Sequence, residues 1–140
     1  MTTDEYMRVG GGVAPKVARH SKKAVYFDLL KNQSGEIFIR TIHTKEDKGK
    51  FSDEIIPLWL IYNCVEKYIS TNKSISAQPF KGCFTKYITN SPGFLATVLR
   101  ELGLFKEDPV NSEKHLVSAW AKWNEFDAEM RVIGGEPYTP

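Results

Sequence analysis

Residues 24–43, AVYFDLLKNQSGEIFIRTIH, decide the fold. Val25, Phe27 and Leu29 alternate with Tyr26 and Asp28, the two-residue period of a strand. Lys31 to Gly35 is a polar turn, and the alternation resumes with Ile37, Ile39 and Thr41 against Phe38, Arg40 and Ile42. Two alternating runs joined by a short glycine-containing turn predict an antiparallel hairpin. Two strands alone are marginal in water, so a third partner is expected, either from Lys50 to Ile56 or from a second copy of the chain. A homodimer built through this sheet is therefore one expectation.

Downstream the period changes from two to that of a helix. Pro57 suits a first helical turn, and Leu58 to Ile69 is apolar around most of its circumference, which places it centrally or gives it a second copy to cover. Phe80, Cys83, Phe84, Tyr87 and Ile88 follow Pro79 at helical spacing and predict a short amphipathic helix. Thr89 and Asn90 make a turn, Ser91 and Pro92 open the next helix, and Gly103 closes it after Leu102. A final helix is expected from the Ser112 cap to Arg131, with Leu116, Ala119, Trp120, Trp123, Phe126 and Met130 in one stripe. The expected class is α+β: a small antiparallel sheet of two or three strands packed against about four helices.

Residues 1–23 contain Gly10, Gly11 and Gly12 and read as a flexible basic leader; 24–135 form one domain and 136–140 a C-terminal tail. The 140 residues are 41% hydrophobic and 26% charged, which suits a globular core and excludes wholesale disorder. Neither an apolar signal core near Met1 nor a run of ~18 apolar residues is present, so a cytoplasmic protein without a membrane partner is expected. In a reducing setting Cys64 and Cys83 act as small buried hydrophobes.

Charge is uneven. Residues 67–106 hold six basic side chains against one acidic, a local +5 in a chain whose total is +2, whereas residues 107–140 are net acidic. The turn between the two short helices falls in the basic stretch, giving a helix–turn–helix pattern in which Ala96, Thr97, Arg100 and Glu101 face outward. Thr97 and Arg100 are then candidate nucleic-acid contacts, with Lys73, Lys81, Lys86 and Lys106 meeting phosphate. Lys16, Arg19, Lys22 and Lys23 supply a basic arm beside them. The plain alternative is that acidic and basic segments pack together and cancel.

Chemical motifs are sparse. His20, His43 and His115 lack metal-ligand spacing, and no CxxC, HExxH or GxSxG occurs, so neither metal nor cofactor is expected. Asp127 falls within the apolar stripe of the last helix, where a carboxylate must find a partner such as Arg131 or line a pocket with Trp120, Trp123 and His43. The expected function is a non-enzymatic binding module for nucleic acid. The alternatives are a protein-interaction or homodimeric adaptor, and a small-ligand or enzyme pocket around Asp127. A hairpin followed by an apolar helix is an order of elements shared by several small single-strand-binding folds, and order alone transfers no function.

Overall fold

In the computed structural model, which describes residues 5–15, 24–42, 54–71, 73–85 and 91–139, the hairpin forms as its alternation requires. Strand β2 (Ala24–Lys31) pairs antiparallel with β3 (Ile37–Ile42), setting Leu29 opposite Ile39 and Asp28 opposite Arg40. The turn is fixed locally. Asn32 Oδ1 accepts the Glu36 N–H at 2.9 Å, and Gly35 takes the left-handed conformation at φ 86°.

The sheet is larger than the hairpin predicts. Residues Tyr6–Pro15, expected to be a flexible leader, form β1, which pairs with β2 from Met7↔Lys31 to Pro15↔Ala24 with one register shift between Arg8 and Gly10. The glycines that suggest disorder instead permit close approach. A Cβ on Gly11 would collide with the Arg8 guanidinium and lie 2.6 Å from the Phe27 carbonyl oxygen. The expected tail also pairs: β7 (Glu136–Tyr138) adds to the free side of β1, after a turn at Gly135 (φ 73°). On the other side β4 (Ile55–Pro57) completes β3, so one of the two expected sources of a third strand is used. The result is a five-stranded antiparallel sheet in the order β4-β3-β2-β1-β7, and both sides of the hairpin are paired within the chain.

Among the described residues, three α-helices and two short 3-10 helices complete the α+β fold. The first helix, α1 (Leu58–Val65), is shorter than its apolar run and continues as a 3-10 turn over Glu66–Tyr68. Gln78–Cys83 is likewise 3-10 rather than part of an α-helix reaching Ile88. Gly82 weakens an α-helix there, and the 3-10 period still buries Phe80 and Cys83 on one side. Residues 86–90, which hold Tyr87 and Ile88 of the expected helix and the expected turn at Thr89 and Asn90, lie outside the described residues. Helix α2 (Ser91–Glu101) matches its expected bounds closely and ends before Gly103 at φ 77°.

The expected helix from Ser112 begins instead at Trp120. His115–Val117 forms β6 against β5 (Phe105–Glu107), and α3 runs from Trp120 to Arg131. His115 and Val117 are buried with Leu116 between them half-buried, a period of two that the helical stripe obscured. Asp108 and Asn111 turn the chain by accepting the Val110 and Glu113 N–H groups, so this stretch makes Asx turns instead of a helix start.

Helices pack on one face of the sheet. Val25, Phe27, Leu29, Ile37 and Ile39 share a continuous core with Ile61, Phe80, Val98, Leu99 and Phe126. Leu30 and Phe38, on the opposite face, are buried outside that core. Substituting Gly11→Val is expected to destabilise the fold by about 1–3 kcal/mol, because the side chain meets backbone on β2 and displaces Arg8. Urea unfolding measures this, and an unchanged midpoint would contradict the close approach of β1 and β2.

Candidate functional site

One charge of the basic middle segment is not presented as the sequence suggests. Arg100 turns back onto its own fold: Nε donates to His115 Nδ1 at 2.9 Å, while Nη2 donates to the Lys114 carbonyl at 2.8 Å and to that of Ser112. Glu107 stands 3.8 Å from Nη1. Burial lowers the Arg100 pKa, with Glu107 opposing that shift. Ala96 and Thr97, expected to face outward, are buried, and the Thr97 hydroxyl donates to the Gly93 carbonyl at 3.0 Å. The reason lies in packing, since α2 touches the sheet, the Gln78–Cys83 turn and β5 at once and has little free circumference.

Lys73, Lys81 and Lys106 are exposed, whereas Lys86 falls outside the described residues. Acidic groups come near two of them. Glu107 follows Lys106 on β5, and the Asp108 carboxylate is held below its usual range chiefly by the Val110 N–H and also by the Ser74 side chain next to Lys73. Acidic and basic segments therefore meet at this ribbon, which also carries the backbone bridge between Ile75 and His115.

The aromatic stripe of α3 divides between core and solvent. Trp123 is 4% exposed, packs edge-on against Tyr62 with centroids 5.5 Å apart, and donates its indole N–H to the Ser118 carbonyl. Trp120 is 58% exposed. A shallow cleft of about 250 Å³ between α1 and α3 is lined by Trp59, Tyr62, Trp120, Trp123, Asp127 and Arg131. Three of the expected pocket residues thus come together, and His43 lies outside the described residues. Asp127 has its partner in Arg131, whose Nε donates to Oδ2 at 2.7 Å. Trp59, half exposed on α1, was hidden in the sequence by the apolar run around it.

A second surface went unread in the sequence, the sheet face turned away from the helices. Register places Val13, Tyr26 and Ile42 in one row across β1, β2 and β3, with Gly11, Asp28 and Arg40 in the next. Asp28 is buried; its Oδ1 accepts Arg8 Nε at 2.7 Å, and the Tyr138 hydroxyl is also bonded to its side chain. Arg40, two strands away from β7's neighbour β1, reaches the same Tyr138 oxygen at 2.8 Å. Burial and the bond to Asp28 raise the Tyr138 pKa. Tyr6 packs edge-on against Phe38 at 5.2 Å.

At the Pro15/Ala24 end of this face Val13 and Tyr26 are nearly half exposed. Between those paired residues run 16–23, outside the described residues, with Lys16, Arg19, Lys22 and Lys23 and no acidic side chain. Pro15 and Ala24, which flank this stretch in the sequence, are paired with each other in the sheet. The signal that could have located it is the outward alternation of Tyr26 and Asp28, combined with a strand upstream.

No protein-family model matches the chain, and no curated protein or solved structure matches it either. Among the described residues no helix is long and apolar enough to cross a membrane, and no group of three or more His, Cys, Asp or Glu could hold a metal ion.

His115 gives this region a pH signature. Burial, then the Arg100 charge, lower its pKa to about 4 from an ordinary 6.5. The unfolded chain binds the proton more readily, so this contribution is full above pH 6.5 and is lost as pH falls toward 4. The loss is on the order of 3 kcal/mol for a group this buried. Denaturant unfolding across that window is expected to show the decline, and His115→Gln to flatten it; equal slopes in both proteins would contradict the assignment.

Proposed function

We propose that this chain binds single-stranded nucleic acid at the Val13/Tyr26 end of the sheet face turned away from its described helices, with the basic side chains of 16–23 meeting the phosphate backbone. One observation carries the reading: the paired residues Pro15 and Ala24, close to the nearly half-exposed Val13 and Tyr26, bracket a stretch of sequence with four basic side chains and no acidic one. Single-strand binding needs a cationic track and rings on which bases stack, with no demand for groove geometry. Arg8, its side chain 45% exposed and its charge paired with Asp28, lies along the same face. A duplex reader built on α2 lacks its contacts, because Thr97 is buried and Arg100 is bound to His115 and the ribbon carbonyls.

A protein-interaction or homodimeric adaptor is the second reading, favoured by the exposed Trp59 and Trp120 beside one cleft. Large exposed aromatic rings are frequent anchors of protein interfaces. Sedimentation equilibrium addresses its homodimer form, and a monomer at high micromolar concentration removes that form.

Anisotropy of labelled oligo(dT), oligo(U) and a duplex, titrated from roughly 50 to 200 mM salt, tests the nucleic-acid reading. Single strands are expected to bind more tightly than duplex, with a log–log salt slope of roughly −3 if four cations displace counterions. Tyr26→Ala is expected to weaken binding by about 1–2 kcal/mol through lost stacking. Lys22→Glu with Lys23→Glu is expected to weaken it further at unchanged Tm. Absence of binding at the lowest salt, or affinity indifferent to all three substitutions, would refute the proposal.

A further inference from the structure

Cys64, in the last turn of α1, and Cys83, at the end of the Gln78–Cys83 turn, bring their sulfur atoms to 3.0 Å. Both thiols are free. Cys83 is buried, whereas Cys64 is half-buried and opens onto a groove lined also by Lys67, Tyr68, Lys73 and Ser76. Packing alone would be satisfied by any two small apolar side chains in van der Waals contact; here two oxidisable atoms face each other, one reachable from solvent and one shielded.

We propose that Cys64 and Cys83 form a reversible dithiol–disulfide site whose oxidant is a peroxide. The Cys64 sulfur attacks one peroxide oxygen: an S–O bond forms, the O–O bond breaks, and the departing oxygen leaves as water. Cys83 sulfur then attacks the Cys64 sulfur. The S–S bond forms as the S–O bond breaks, and the second oxygen takes the remaining thiol proton as water. Two thiols lose two electrons in total and one peroxide becomes two waters. Burial, the largest cause, and the neighbouring Cys64 raise the Cys83 pKa, so Cys83 stays a protonated thiol that leaves the peroxide to the more open Cys64 and gives up its proton only in the second step. The product would tie α1 to the Gln78–Cys83 turn and close the chain between them, including Lys67, Lys73 and Lys81, into a covalent loop.

The experiment treats the reduced full chain with a small molar excess of hydrogen peroxide. The expected intact mass falls by about 2 Da, the free-thiol count falls from two to zero, and a non-reducing peptide map joins the Cys64 and Cys83 peptides. Closing the loop is expected to raise Tm by roughly 5–10 °C, reversed by dithiothreitol. In Cys64→Ser neither the mass loss nor the Tm rise is expected; the wild-type peptide map stands independently of how that variant folds. Three outcomes would overturn the proposal: a gain of oxygen on Cys64 with Cys83 still free, a disulfide between two chains, or two intact thiols under peroxide that fully oxidises glutathione.

Discussion

A carboxylate buried in the middle of a sheet face must be paired, and the outer surface of this fold is arranged around that demand. Asp28 sits on the central strand β2, shielded from water. Unpaired, it would carry a large desolvation penalty. Arg8 of β1 meets it directly, Tyr138 of β7 bonds to it, and Arg40 of β3 holds Tyr138 from the other side. Four of five strands are thereby tied by side chains as well as by backbone ladders. The glycine opposite Asp28 follows from the same requirement, since a side chain on Gly11 would occupy the space the Arg8 guanidinium needs.

A comparable clamp operates on the other half of the molecule. Arg100 joins α2 to the β5–β6 ribbon through His115 and two carbonyls, and it is supported by Glu107. Its charge is thus used within the fold. Of the segment with a local +5, the arginine is thus turned inward, while Lys73, Lys81 and Lys106 stay exposed, with Glu107 next to Lys106 and Asp108 bonded to Ser74 beside Lys73. The basic residues between Pro15 and Ala24 differ, because that stretch contains no acidic side chain to offset them.

How much was legible in the sequence depended on which signal each element carried. The hairpin was legible because a buried face imposes strict alternation on Val25, Phe27, Leu29, Ile37 and Ile39. Helix α2 was legible because Ser91, Pro92 and Gly103 mark both ends. Strand β1 was not, because a glycine run has the same composition whether it is loose or needed for close approach, and only the partner strand distinguishes the two. Strand β6 was absorbed into the expected helix because Leu116 and Ala119 happened to extend the stripe of Trp120 and Trp123. Of the candidate site, the Asp127–Arg131 pair and the grouping of Trp120, Trp123 and Asp127 were legible from helical spacing. The outer face was not, since it is assembled from β1, β2, β3 and β7, and no local pattern reports which distant strands share a face.

The described helices pack on one face of the sheet, while Tyr26, Arg8 and Arg40 stand on the other, and that division between a core face and a chemical face underlies the functional reading. Photocrosslinking of the unmodified chain to oligo(U), followed by mapping of the adducts by mass spectrometry, tests it most directly. The account predicts adducts on the peptides containing Tyr26 and Lys22–Lys23, with Arg8 next along the same face. Adducts confined to the Trp59 and Trp120 cleft or to Lys73, Lys81 and Lys106 would contradict it.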